Sequence, residues 1–335
     1  MKKVVTLGIT IIMVCLLLIG CSNNSKKDEK THDKNTQSSY NPFDLKDEQV
    51  NVDAEFSFGP VNPVDELTYT GEPIEVEYAY DNLGDTDFKA GFMIFIDGIA
   101  QVYKVDGENK EEIMHEFNVK KKSQIKFKAS FKPNIGEKGD KLSLHITSTL
   151  NPNYVASSNY PSFGNNLGLS QALPVNLRYL KSVNYPELKI HDKYSIENIT
   201  KEIKKEYLGR GKDNTEEYVL NEEALLKLKY KGDDKESKIE LKKNSKLSLT
   251  LEGFGGPKDT KYRTTIFIDN KPVKTIDGKE YLEMEVKKNM LSKQNFDVDI
   301  SELKGTHVLY TISVPRGRGT YSIVKSSPKL LIVEE

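Results

Sequence analysis

Ile94-Phe95-Ile96-Asp97-Gly98 and Ile266-Phe267-Ile268-Asp269-Asn270 stand about 172 residues apart and decide how the chain is read. Each is an apolar strand running into a two-residue turn, Asp-Gly in one and Asp-Asn in the other. These residues accept positive φ at little cost, so each pair can close a tight hairpin. A five-residue match alone is weak evidence for duplication. The neighbours on both sides also match in kind and in order, which is what an internal repeat requires.

Upstream of the turn, Ile74, Val76, Tyr78 and Tyr80 alternate with polar or small residues, and Leu247, Leu249 and Leu251 do the same. A period of two marks a strand with one buried face. Glycine-containing loops follow, Asp81-Asn82-Leu83-Gly84 and Gly253-Phe254-Gly255-Gly256. Downstream, Val105-Asp106-Gly107 corresponds to Ile276-Asp277-Gly278, and Phe117-Asn118-Val119 to Met284-Glu285-Val286. Ile125, Phe127, Ala129 and Phe131 alternate as Phe296, Val298 and Ile300 do, and Leu142, Leu144 and Ile146 match Val308, Tyr310 and Ile312. An apolar strand near a proline closes each copy, Ala172 to Leu177 and Leu330 to Val333.

Short alternating strands about ten residues apart, punctuated by Gly, Asp and Asn, predict antiparallel sandwiches. The layout resembles the Ig-like modules repeated in bacterial surface proteins, over about 70–180 and 240–335. The resemblance extends to fold alone and implies an all-β chain of two tandem Ig-like antiparallel β-sandwich domains. The first sandwich is expected over 53–183, and a connector with the second sandwich over 184–335. Within that connector, Ile196, Ile199, Ile203 and Tyr207 share one helical face, with Ser195 as a cap and Gly209 as a stop. Glu222-Glu223-Ala224-Leu225-Leu226 either continues that helix or opens the second module, so 195–226 stands open between helix and strand.

The other informative stretch is the N-terminus. Met1-Lys2-Lys3 precedes an apolar run from Val4 to Ile19, the layout of a secretory signal. Leu18-Ile19-Gly20-Cys21 resembles the lipobox of bacterial lipoproteins. That resemblance implies a signal peptide over 1–20, cleavage before Cys21, and diacylglycerol and palmitate on its sulfur, whose thiolate is the nucleophile. The alternative is an uncleaved membrane anchor. From Ser22 to about Val50 the chain is rich in Ser, Asn, Lys, Asp and Gln without apolar periodicity, so 21–52 is expected to be a disordered tether. The expected location is the extracytoplasmic face of a cell membrane, in a Gram-positive cell by the tether's composition. Cys15 leaves with the signal, so the mature chain holds no cysteine pair for a disulfide. With 49 Lys+Arg against 50 Asp+Glu there is no net field to attract nucleic acid.

The sequence carries no Gly-x-Ser-x-Gly elbow, no phosphate-binding Gly-rich loop and no His-Glu-x-x-His zinc pair. Gly168-Leu169-Ser170-Gln171-Ala172 touches the elbow pattern loosely and reads better as a loop. The five histidines, 32, 115, 145, 191 and 307, are scattered; His145 and His307 fall on related strands, where solvent-side positions are the ordinary expectation. Asp97, Asp269, Asp106 and Asp277 recur, and turn formation explains all four. A Ca²⁺ site on adjacent loops is the sharper alternative, without the dense Asp-x-Asp-x-Asp spacing of dedicated calcium loops. No cofactor, metal site or catalytic residue is expected.

Asn151 to Asn166 stands apart as a long uncharged loop punctuated by Tyr154, Tyr160 and Phe163, where the second copy has only Arg316 to Ser326. Long loops on rigid sandwiches often carry recognition, and Tyr, Ser, Gly and Asn form a paratope-like mixture. The competing reading is a pad packed against the second module. Tethering, duplication and the missing catalytic groups together give the expected function: a membrane-anchored, non-catalytic binding or assembly module whose partner is a protein or an envelope polymer. The alternatives are an accessory lipoprotein subunit of a membrane export or transport complex and, third, a cell-envelope enzyme.

Overall fold

The computed structural model describes residues 55–185, 187–201, 203–204, 223–233, 235–243, 245–317 and 322–334. The expected signal peptide, Cys21, the tether to residue 52, Tyr207 and Gly209 lie outside them.

The first lobe is built from β1 (Phe56–Pro60), β2 (Glu66–Tyr69), β3 (Ile74–Asn82), β4 (Phe88–Ile96), β5 (Ile99–Ala100) and β6 (Lys104–Val105), followed by β7 (Met114–Val119), β8 (Ser123–Phe131), β9 (Lys141–Leu150), β10 (Leu169–Gln171) and β11 (Val175–Tyr179). One sheet has the order β1-β3-β8-β6; the other runs β2-β11-β9-β4, with β5 and β7 also on β4 and β10 on β9. The second lobe contains β12 (Ile190–His191), β13 (Ser195–Asn198), β14 (Ala224–Tyr230), β15 (Lys238–Lys242), β16 (Leu247–Gly255) and β17 (Thr260–Ile268). It continues with β18 (Lys271–Val273), β19 (Tyr281–Val286), β20 (Met290–Val298), β21 (Gly305–Pro315), β22 (Val324–Lys325) and β23 (Lys329–Glu334). Its sheets run β13-β20-β16-β14 and β12-β19-β17-β21-β23-β15.

The duplication holds strand by strand. The partners β3 and β8 correspond to β16 and β20, and β9-β4-β7 to β21-β17-β19. A parallel step recurs as well, β2 on β11 and β15 on β23, while the second lobe adds a further short parallel pair, β12 on β19. The matching hairpins turn at Asp97-Gly98, with φ of 48° and 85°, and at Asp269-Asn270, with φ of 49° and 63°. Both residues of each turn thus lie in the left-handed region that Asp, Asn and Gly tolerate. The chain is all-β, a pair of Ig-like antiparallel sandwiches.

Each lobe has its own core. The first is aromatic: Phe92 meets Phe127 edge-on at 4.9 Å, and Phe117 stacks on Phe127 at 4.1 Å. The second is aliphatic, around Leu249, Leu251, Ile266, Val298 and Leu331.

Alternation fails in β4, β9, β17 and β21, which are buried almost throughout. The reason is a third core between the lobes. In β4, Phe92, Ile94 and Ile96 face the first core while Met93 and Phe95 face outward; in β17, Ile266 and Ile268 face the second core while Phe267 faces outward. The outward residues meet Val308, Tyr310, Ile312 and Val314 of β21. The two large sheets therefore stack back to back, and a continuous apolar run is what a strand with two buried faces requires.

The turns at the strand ends lock this seam reciprocally. The Asp97 carboxylate accepts from Arg316 Nε at 2.9 Å and from the Gly317 N–H at 2.9 Å, and the Asp97 carbonyl accepts from Arg263 at 2.8 Å. Glu283 holds both guanidiniums, at 2.8 Å to Arg263 and 3.0 Å to Arg316. Burial, then the neighbouring Arg316, holds Arg263 below the usual guanidinium value. At the other end the Asn270 amide donates to the Pro152 carbonyl at 3.0 Å and to Asn153 Oδ1 at 3.1 Å. Each lobe's hairpin turn thus grips the segment after the corresponding long strand of its neighbour, an arrangement with the reciprocity of a two-fold interface.

Of the two readings left open from Ser195, the strand holds at its start: Ser195–Asn198 pairs antiparallel with β20 from Ser195↔Lys293 to Asn198↔Met290. The open edge of β20 supplies backbone partners that outweigh the 3.6-residue apolar period. Helical geometry begins only after Thr200, whose Oγ1 caps the Ile203 N–H, and Ile199 and Ile203 pack against Phe254 and Leu291. Ala224–Tyr230 resolves the other ambiguity as a strand along β16.

Candidate functional site: an open cleft in the first lobe

The first lobe is not closed all round. β1 pairs with β3 only as far as Pro60↔Tyr78. The Val61 N–H still donates to the Glu77 carbonyl at 2.9 Å, and then Asn62-Pro63-Val64-Asp65 carries the chain across to the other sheet as β2. Pro60 and Pro63 lack the N–H donors that would extend a ladder, so the crossing occurs there. Opposite, Ala172-Leu173-Pro174 interrupts the return strand between β10 and β11.

The two interruptions leave a cleft of about 750 Å³ opening into the sandwich interior. Its floor is apolar: Phe58, Val76, Tyr78, Leu144, Ile146 and Val175. Its lip is Leu173, 89% exposed, and Val64, 50% exposed. Asp65, Glu75 and Glu77 line the opening against a single cation, Lys128. Strand alternation points the backbone groups of Glu75 the same way as the Glu77 carbonyl, toward the side that β1 has left.

The residues expected to form a binding loop are placed differently from one another. Tyr160 is exposed, whereas Phe163 is buried, and Tyr154 is part-buried beside it with rings 6.2 Å apart. Ala156, Phe163 and Leu167 belong to the seam core. Ala156 and Phe163 therefore fix the 151–166 loop in the seam between the lobes while 157–160 stays exposed, and Phe163 is not presented to a partner.

The rear of that pad bounds a second, smaller cleft of about 520 Å³. Phe163, Asn166 and Leu167 from the first lobe and Ala224, Ile323 and Lys325 from the second lie along it.

The recurring aspartates are occupied as turn residues. Asp97 binds Arg316, and Asp269 accepts from the Val308 N–H at 2.9 Å and meets His307 Nδ1 at 2.6 Å. Asp106 accepts from the Lys128 N–H at 3.0 Å, and Asp277 from the Thr275 hydroxyl. Among the described residues, no three His, Cys, Asp or Glu side chains come together as a metal site. The expectation of solvent-side histidines is corrected for His145, which is buried on a strand with two covered faces; its Nε2 lies 2.9 Å from Ser143 Oγ, and burial pushes its pKa down to about 4. His115 is also buried, between the Glu108 carboxylate at 3.0 Å and the Tyr103 carbonyl at 2.9 Å.

Sequence reading missed the first-lobe cleft. The signal available was the pair of proline interruptions, Pro60–Pro63 and Pro174, in otherwise apolar strands.

No family model matches the chain, and no curated protein matches it. Solved structures do. The fibronectin(III)-like modules of Clostridium thermocellum CbhA match at 10% identity and a TM-score of 0.21, over 83% of this chain and 94% of theirs. The CsuC-CsuE chaperone-tip adhesion subunit pre-assembly complex from Csu pili of Acinetobacter baumannii matches at 12% identity and a TM-score of 0.22, over 84% of this chain and all of the other. Red sea bream transglutaminase matches at 10% identity and a TM-score of 0.21, and this chain spans 31% of it. These likenesses concern fold class.

Proposed function

We propose that the chain is a lipid-anchored extracytoplasmic lipoprotein, attached through Cys21, that acts as a non-catalytic binding module. Its first-lobe cleft receives an extended apolar segment of a partner protein. The observation that carries this reading is the open cleft itself. An apolar floor lies beneath an uncovered β3 edge, so an added strand can pair its backbone with Glu75 while alternate side chains enter the cleft. The acidic lip of Asp65, Glu75 and Glu77 favours a segment flanked by Lys or Arg. Leu173 and Val64 exposed together at one opening fit a recognition surface better than scattered surface residues.

The test uses extended peptides with apolar residues at alternate positions and flanking lysines, titrated against the full-length protein. Saturable binding is expected, lost in the double variant Leu173→Asp, Val64→Asp and unchanged in Tyr160→Ala. Unchanged binding in the double variant overturns the site. The anchor is tested separately: a tagged fatty acid fed to cells should label the full-length protein and not Cys21→Ala, and absence of label from the unsubstituted protein, or equal label in Cys21→Ala, would contradict lipidation at Cys21. An accessory subunit of an export or transport complex is the same fold with an integral-membrane partner, and the identity of the captured segment separates the two.

A further inference from the structure

Among the buried and half-buried lysines, Lys325 is set apart by what it lacks. Lys329 is buried and donates to the Glu236 carbonyl at 2.6 Å, and Lys229 pairs with Glu252 at 2.9 Å. Lys325 sits on β22, paired opposite Ile312, so its side chain shares the seam face. Its Nζ lies 4.3 Å above the ring of Tyr310, which itself stacks on Phe267 at 5.3 Å. No carboxylate or carbonyl among the described residues hydrogen-bonds it or pairs with it. A cation–π contact offsets part of the burial but leaves the ammonium without an anion.

This amine lines the seam cleft of about 520 Å³. Phe163, Leu167, Leu225 and Ile323 give that cleft an apolar wall. Asn166 and Ser326 add hydrogen-bonding groups: the Ser326 hydroxyl accepts from the Thr311 N–H at 2.9 Å and keeps its own proton to donate. The Asn166 carbonyl oxygen is taken by Asn151 at 2.8 Å, which turns its amide N–H₂ into the unassigned half. The other titratable side chains along the cleft are Glu223, exposed, and Tyr262, in the wall.

We propose that the seam cleft binds a small organic carboxylate with an apolar body, its charge supplied to Lys325 and its body laid against Phe163, Leu167 and Ile323. This site is separate from the first-lobe cleft and stands or falls without it. Burial pushes the Lys325 amine down to about 7, so the free site holds a mixture of amine and ammonium at neutral pH, and an anion draws it to the charged form. Affinity should therefore fall as pH rises above neutral, by up to about tenfold per unit.

The experiment titrates full-length protein calorimetrically with benzoate and with benzyl alcohol, its neutral counterpart, at pH 6.5 and 8.5. Benzoate should bind at one site, at least about tenfold tighter than benzyl alcohol, and weaken at the higher pH. Lys325→Met should remove the benzoate preference and Lys325→Arg retain it without the pH dependence. A parallel measurement on unsubstituted protein is reductive methylation at neutral pH with mass spectrometry, where benzoate should slow modification of Lys325 several-fold. Equal binding of the two probes, no binding, full affinity in a folded Lys325→Met protein, or methylation of Lys325 indifferent to benzoate would each overturn the proposal.

Discussion

Replacing Asp97 with Ala removes one carboxylate from the buried charge cluster that closes the seam. The geometry sets the expected size. Two charge-assisted hydrogen bonds disappear, to Arg316 Nε and the Gly317 N–H, both at 2.9 Å, along with a 3.8 Å ion pair to Arg263. The Asp97 carbonyl still holds Arg263, and Glu283 still binds both guanidiniums, so one carboxylate is left to balance two cations. Arg263 is only 3% exposed and cannot recover its hydration. Removing one member of a buried, hydrogen-bonded charge group costs on the order of 3–5 kcal/mol, and the surviving Glu283 places the expectation near 3. Asp97→Asn keeps an acceptor for Gly317 and should cost about half as much.

Asp269→Ala is the internal control, because Asp269 occupies the same turn in the second copy. Its partners are His307 and the Val308 N–H within its own lobe, and its side chain is 46% exposed. It should cost about 1 kcal/mol or less. The assay is urea unfolding of both variants, with the seam followed separately by hydrogen exchange of β4 and β17. A double-mutant cycle between Asp97→Ala and Arg316→Met should show coupling of about 1.5–3 kcal/mol. Equal losses for the two aspartates, with no added exchange in β4, would refute the seam as the reason for burying Asp97.

Gly98→Ala should destabilise by more than about 1 kcal/mol, since Gly98 has φ of 85° and an added Cβ would lie 2.6 Å from Arg263 Cβ; thermal unfolding beside Gly107→Ala, which has φ of 82° and open space, separates the clash from the backbone strain. His145 is held neutral in the fold with a pKa near 4 against an ordinary 6.5, so the unfolded chain takes up its proton first as pH falls. Stability should decline between about pH 6.5 and 4, by up to about 3 kcal/mol, and be fully present above that window; His145→Gln should flatten that slope in pH-dependent unfolding. Truncating 151–166 should expose the seam core around Leu167 and raise binding of a hydrophobic dye, which substitution of Tyr160 alone should not do.

The duplicated hairpins were legible because Asp97-Gly98 and Asp269-Asn270 are local turns whose φ values follow from residue type. The alternating strands were legible for the same local reason. The seam was not, although its trace is the unbroken Phe-Met-Ile-Phe-Ile run of β4, because a doubly buried strand and a buried edge give the same apolar run. Phe163 illustrates the limit for the site: an aromatic residue in a polar loop reads alike whether it faces a partner or a neighbouring lobe. Ser195–Asn198 shows the same for secondary structure, where an available sheet edge overrides a helical period. The first-lobe cleft depends on where two prolines fall in space, which only the folded chain supplies.

The most direct test of the central claim is a photo-reactive residue at Leu173 of the full-length protein in living cells, with Ile276, an exposed position on the second lobe, as the control. One dominant protein adduct is expected from Leu173, mapped to an extended apolar segment of the partner and absent from Ile276. Adducts of equal pattern from both positions, or none from Leu173, would contradict it.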